Sequence, residues 1–231
     1  MNHQVQDIEF TYSKSKRRTA SLFVERDGSI SLIVPEELEL LEIEQIVEKK
    51  QAWIYKSLAE WKDLNTSRVG REFVSGETFL YLGRSYKLRV GSDLKSDLVL
   101  KDGHFLLKEG KLSNCAEVFK AFYREKGLEK VLKRIDYYEG KIGVKANEVR
   151  VRELGNRWGS CTPEGNLNFH WKCVMAPLSI LDYIVVHELC HLHHPNHTDA
   201  FWNEVDKVLP DYKKRYEWLK HNGAGLNIGI A

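Results

Sequence analysis

The chain has 231 residues, 42% hydrophobic and 29% charged, a balance that excludes a disordered or low-complexity protein. A formal net charge of +2 at pH 7 gives no bulk electrostatic case for binding nucleic acid or a membrane surface. No apolar run reaches the roughly 18 residues of a membrane span, and residues 1–7 lack the apolar core of a secretory signal, so a cytoplasmic protein without a membrane partner is expected.

In chain order, Thr19 to Glu25 and Ser29 to Val34 alternate around Asp27-Gly28, a hairpin signal, and Pro35 ends the second strand. From Leu38 to about Leu64 the apolar residues Leu41, Ile43, Ile46, Val47, Trp53, Ile54, Leu58 and Trp61 recur at helical spacing. A second hairpin is expected from Thr78 to Leu82 and Tyr86 to Val90, with weaker strands at Leu98 to Leu100 and His104 to Lys108. Ser113 or Asn114 caps a long helix running to about Tyr138, with Val118, Phe119, Phe122, Leu128, Val131, Leu132 and Ile135 inward. By its glycines, Gly140 to Gly143 reads as the boundary between an N-terminal lobe and the C-terminal lobe that follows. There, Glu148 to Leu154 and Gly165 to Trp171 read as strands around the turn Thr162-Pro163-Glu164-Gly165. Ala176-Pro177 opens the next helix and Pro195 closes it, followed by helices from Asp199 to Val208 and Asp211 to Lys220. No internal repeat stands out. The four cysteines (Cys115, Cys161, Cys173 and Cys190) show no C-x-x-C pairing and read as reduced thiols.

The helix after Pro177 carries the chemistry. It contains His187-Glu188-Leu189-Cys190-His191, and histidines four apart on a helix share a face, so both imidazoles reach one cation. In the H-E-x-x-H arrangement of zinc hydrolases, the intervening glutamate is a general base and not a ligand. Chance placement on a polar face is the alternative. Against it, Ile180 to Val186 is apolar enough to be buried, and buried helices carry His, Glu and His only when those groups are paired or bind a metal. Catalytic zinc takes three protein ligands. His193 and His194 are rotated off the shared face. His197, after the turn at Pro195-Asn196, fits best as third ligand, with Glu204 on the following helix as runner-up.

These residues resemble the YgjP-like metal-dependent hydrolases, relatives of the SprT-type zincins. The resemblance rests on Arg157-Trp158-Gly159-Ser160-Cys161, Asn166-Leu167-Asn168 and Tyr183 through Leu192. It extends to Pro195-Asn196-His197-Thr198, Phe201-Trp202 and Leu209-Pro210-Asp211-Tyr212. Tyr81 through Leu88, and Asp27-Gly28 leading into Val34-Pro35, are also similar. One departure is His170-Trp171-Lys172-Cys173, where members carry a more aliphatic strand. The resemblance implies an α+β protein: a zincin-like metallopeptidase lobe with a small sheet and the H-E-x-x-H helix, and a β-hairpin-rich N-terminal lobe. The lobes are placed at 1–112 and 113–231. It also implies three histidine ligands, His187, His191 and His197, with Glu188 catalytic, Zn2+ as cofactor and a peptide or protein as substrate.

Arg157, Asn166 and Asn168 are candidate contacts to substrate or transition state. For Arg157-Trp158-Gly159-Ser160-Cys161 a structural reading weighs evenly: arginine on buried carbonyls, tryptophan in the core, glycine at a turn. The strand Gly165 to Trp171 is expected to run along the cleft and offer an edge to an extended peptide. The expected activity is peptide hydrolysis. The alternatives are a zinc hydrolase of a small amide or ester, and a partner-binding module with a structural zinc. A nucleic-acid contact at Lys14-Ser15-Lys16-Arg17-Arg18 is weakly supported beside the reading of that run as a solvated strand edge.

Overall fold

A computed structural model describes residues 2–25, 27–65 and 70–229. The chain divides into two units, Met1–Thr66 and Ser67–Ala231.

The first unit is a four-stranded sheet with two helices. Its strands are β1 (His3–Val5), β2 (Ile8–Ser15), β3 (Ser21–Val24) and β4 (Ile30–Pro35), in the order β1-β2-β4-β3. The pair β1/β2, which alternation alone did not reveal, turns at Gln6 in a left-handed conformation. The single helix expected from Leu38 to Leu64 is two, α1 (Leu40–Lys49) and α2 (Gln51–Asn65), which meet at Lys50. Ile43, Val47 and Ile54 from these helices close a core with Val5, Ile8, Phe10, Ile30, Leu32 and Val34. Trp61 donates its indole N–H to the Val24 carbonyl, while Trp53 is exposed although it falls in the apolar helical pattern. In the basic run, Arg17 donates to the Ser21 hydroxyl.

The second unit begins with the same arrangement. Strands β5 (Thr78–Tyr81), β6 (Arg84–Gly91), β7 (Leu98–Lys101) and β8 (His104–Lys108) have the order β5-β6-β8-β7. In both sheets the outer pairs are antiparallel hairpins and the central pair is parallel. The chain therefore repeats a strand topology, although its sequence shows no repeat: a hairpin sheet needs alternation and turn residues, not particular side chains.

Helix α3 (Cys115–Ile142) is the spine of this unit. Its first half packs on the sheet through an aromatic cluster, with Phe119 stacked on Phe79 at 4.4 Å and Phe122 edge-on to Phe105 at 5.3 Å. Its second half packs on β9 (Val149–Arg152) and α4 (Leu178–Cys190). Arg134 of α3 grips the buried Asp182 of α4 with Nε–Oδ1 at 2.5 Å and Nη2–Oδ2 at 3.0 Å. Because both halves of one helix contribute to one continuous core from Phe73 to Ile228, the expected division at 112/113 is not where the contacts separate. Leu128 and Leu132, expected inward, are exposed; Tyr123 and Tyr138 occupy the buried stripe.

The turn between β5 and β6 sits on the approach to α4: Leu82 N–H bonds to Val174 O at 2.7 Å and Gly83 N–H to Met175 O at 3.0 Å. Gly83 has φ +76°, and a Cβ there would lie 2.8 Å from Pro177, so this turn admits no side chain. The remaining sheet is β10 (Gly159–Cys161), β11 (Leu167–His170) and β9, in that order. Helices α5 (Asp199–Val208) and α6 (Tyr212–Asn222) complete the unit.

His170, part of the departure from the family strand, ends β11 fully buried. Its Nδ1 accepts the Lys172 N–H at 3.1 Å, and its Nε2 lies 2.7 Å from Glu153 Oε1. Trp171 donates to the other Glu153 oxygen at 2.7 Å. A ring nitrogen that accepts a backbone N–H is unprotonated, and burial pushes the His170 pKa down to about 4. Between about 4 and the unfolded value near 6.5, the unfolded chain therefore binds the extra proton, and stability falls as pH falls through that window. From pH 7 to 4, His170 should contribute a loss of about 3 kcal/mol that a His170→Phe protein lacks. Melting curves of the two proteins across this range check it; parallel pH dependences refute it.

Candidate metal centre

Helix α4 is apolar on nearly every side. Ile180, Leu181, Tyr183, Ile184, Val185, Val186, Leu189 and Cys190 are all buried, so polar groups on it need partners. Its last turn presents His187, and His191 follows as the first residue past the helix, still in helical conformation (φ −66°, ψ −18°), so the four-residue spacing is preserved. His197 arrives from the turn between α4 and α5.

The three imidazoles converge. Ring centroids lie 4.9 Å (His187–His191), 4.9 Å (His187–His197) and 4.7 Å (His191–His197) apart. One ring nitrogen of each lies within 4.8 Å of the other two, and the Nε2 atoms of His187 and His197 face each other at 3.0 Å. His191 Nδ1 sits 3.0 Å from the His194 carbonyl, which can only accept, so Nδ1 carries the proton and Nε2 keeps its lone pair. Burial, then the neighbouring imidazoles, pushes the His187 pKa down to about 3; burial also lowers those of His191 and His197. Three neutral imidazoles with lone pairs directed to one place fit a divalent cation, and this group could hold one.

Helix α5 builds what lies beneath. The fully buried Phe201 ring is 4.6 Å from His191, 4.9 Å from His197 and 5.0 Å from His187, forming an apolar floor under all three. Trp202 stacks on His197 at 5.6 Å and 24°. Glu204, the runner-up ligand, is engaged elsewhere: its oxygens lie 2.8 Å from His193 Nδ1 and 3.0 Å from His194 Nε2. His193 and His194, which read as exposed polar residues, thus tie the turn after α4 to α5.

Glu188 is 5% exposed and points to the other side of the cluster, against β10. Burial pushes its carboxyl up to about 8, with the positive charge of Arg157 opposing. Gly159 is the reason Glu188 fits: a Cβ there would stand 2.5 Å from Glu188 Oε1 and 2.7 Å from its Cγ and Cδ. The glycine of Arg157-Trp158-Gly159-Ser160-Cys161 therefore gives the carboxylate room and is not merely a turn residue. Sequence reasoning missed this because a close approach between distant segments leaves no local mark beyond the glycine itself.

A cleft of about 690 Å3 runs between β10 and the histidines, lined in part by Arg157, Gly159, Ser160 and Thr162. The strand along this cleft differs from expectation. β11 is paired on both sides, by β9 and β10, so it offers no edge; of the two outer strands, β10 is the one that lines the cleft. Arg157 is exposed in the cleft. Asn166 and Asn168 fall outside its lining: Asn166 Oδ1 accepts from Asn147 at 2.9 Å, and the buried Asn168 reaches Ser160 Oγ at 3.4 Å, bracing β10 from behind.

The sequence matches the family model described as the YgjP-like metallopeptidase domain over residues 18–222. The chain belongs to the YgjP-like family. It is thus a metal-dependent hydrolase of the metallopeptidase type, and the α+β fold with its histidine cluster is in keeping with that membership. Among solved structures, this YgjP-like protein is similar to the metallopeptidase zymogen abylysin of Pyrococcus abyssi, with 24% identity and a TM-score of 0.37. That match covers 38% of this chain and 90% of the other. No curated protein matches. No described helix is long and apolar enough to cross a membrane.

The contact at Gly159 gives a direct expectation. Gly159→Ala forces the methyl and the Glu188 carboxylate apart and should lower peptide hydrolysis by about 10-fold or more, since an ångström-scale misplacement of a reacting group has effects of that size. Metal content should be unchanged, because the added methyl meets Glu188 and none of the three histidines. Wild-type activity in that protein would refute the steric role.

Proposed function

We propose that this YgjP-like protein is a zinc-dependent peptidase in which His187, His191 and His197 hold the zinc and Glu188 carries the proton. What supports the reading above all is the juxtaposition of three neutral imidazoles, nitrogens within 4.8 Å of one another, with a buried carboxylate on the same helix.

Bound zinc supplies Lewis-acid chemistry, lowering the pKa of water and polarising a carbonyl oxygen. The protein's own residues do the rest. Glu188, held between α4 and the backbone of Gly159, accepts a proton from the attacking water and delivers it to the departing amine. Burial raises the proton affinity of the Glu188 carboxylate, which favours taking the proton from the attacking water. Arg157, exposed in the cleft, faces the negative charge that develops on the attacked carbonyl. An extended peptide lying along the outer edge of β10 gains main-chain hydrogen bonds there, with little demand on its sequence. Phe201 keeps the underside of the cluster dry, which strengthens every charge interaction above it.

A structural zinc would need a fourth protein ligand. Glu204 is the acid in range by sequence; its Oε1 is hydrogen-bonded to His193, and Glu204 does not join the group in which the three histidines converge, which favours a site with one position left for chemistry.

Glu188→Gln keeps the shape but removes the base. The variant should retain stoichiometric zinc by metal analysis while peptide hydrolysis drops by roughly 10²–10⁴-fold. A strong chelator should abolish wild-type hydrolysis and added zinc restore it. Full turnover in Glu188→Gln, or chelator-resistant activity, would overturn the assignment.

A further inference from the structure

His197 is the anomalous member of the cluster. His187 and His191 are aimed by the backbone of α4, whose regular spacing sets both rings on one face. His197 lies in the turn between α4 and α5, is exposed, and owes its direction to no regular element. A ring in a turn samples several rotamers, so something else must select the one that faces His187 at 3.0 Å.

The selecting surface is aromatic. Trp202 of α5 lies face to face with His197, centroids 5.6 Å apart and planes 24° from parallel. Trp202 also stacks on Tyr212, at the start of α6, at 5.4 Å and 16°. Phe201 closes the arrangement edge-on to His197 at 4.9 Å and 77°. The stack His197–Trp202–Tyr212 thus spans a turn and two helices, and offset-parallel faces at these separations are favourable aromatic geometry.

We propose that Trp202, backed by Tyr212, is the positioning residue for the third metal ligand: it holds the His197 ring in its ligating rotamer before the cation arrives. This rests on the reading of the three histidines as ligands. The bound state then needs no ordering of the turn, and affinity is gained by pre-organisation. Residues behind metal ligands commonly carry 10–100-fold of the affinity, and Trp202 should do so through stacking instead of a hydrogen bond.

The test is zinc affinity of the full chain, measured by competition with a chromophoric chelator, together with the absorption spectrum of the cobalt-substituted protein. Trp202→Ala should weaken zinc binding by about 10-fold or more and shift the cobalt spectrum toward that of His197→Ala. Trp202→Phe, which restores a ring face, should recover most of the affinity. Tyr212→Ala, which leaves His197 untouched, should give a smaller loss of the same sign. If Trp202 acts through His197, Trp202→Ala adds no further loss in a His197→Ala background; a general loosening of the fold would weaken binding equally in both backgrounds. Equal zinc affinity in wild type and Trp202→Ala, or full additivity with His197→Ala, overturns the proposal. Wild-type protein that binds no zinc overturns the ligand reading itself, and this inference with it.

Discussion

Burial of helix α4 is the constraint on which the rest of the second unit depends. A helix sunk in an apolar core cannot carry two imidazoles and a carboxylate without compensation. The surrounding elements fit that burial in different ways: Arg134 of α3 pairs with Asp182 on the same helix, the bare backbone of Gly159 in β10 leaves room for Glu188, and Phe201 and Trp202 of α5 pack on the imidazole rings. Placing the polar cluster at the C-terminal end of the helix, where the core meets the cleft, lets all three histidines line that cleft.

The second consequence is a division of labour between the elements. Helix α4 provides spacing and α5 provides orientation, since Phe201, Trp202 and Glu204 each touch the cluster or the turn that bears it. Strand β10 does two things at once. Its inner face makes room for Glu188, and its outer edge, free of a partner strand, borders the same cleft. A side chain at Gly159 would spoil the first without altering the second.

The twofold use of one strand order shows where reading residues succeeds and where it stops. The hairpin at Asp27-Gly28 and the one between Thr78 and Val90 were legible because turn residues and alternation are local, although the second turn falls at Leu82-Gly83, one residue earlier than the strands implied. The repetition between the sheets was not, because the two sets of strands share geometry and not side chains. A boundary expected at 112/113 meets a related limit: α3 packs against elements on both sides of it, and a shared core is invisible until the chain is folded. Leu128 and Leu132 sit at helical spacing yet face out, displaced by Tyr123 and Tyr138, because which stripe of a long helix is inward depends on what approaches it.

Much of the candidate site could be read from residue order alone. Four-residue spacing on an apolar helix brings His187 and His191 together whatever surrounds them, since backbone periodicity is a local property, and Glu188 between them follows from the same geometry. Residue order offered His197 with Glu204 as runner-up; the fold brings the His197 ring to the other two and sets His193 and His194 beside the Glu204 carboxylate. That Gly159 touches Glu188, that β10 and not β11 has the open edge, and that Trp202 and Tyr212 stack behind His197 were decided by tertiary structure. Each is a meeting of segments separated in the chain, and no local pattern encodes the distance at which they meet.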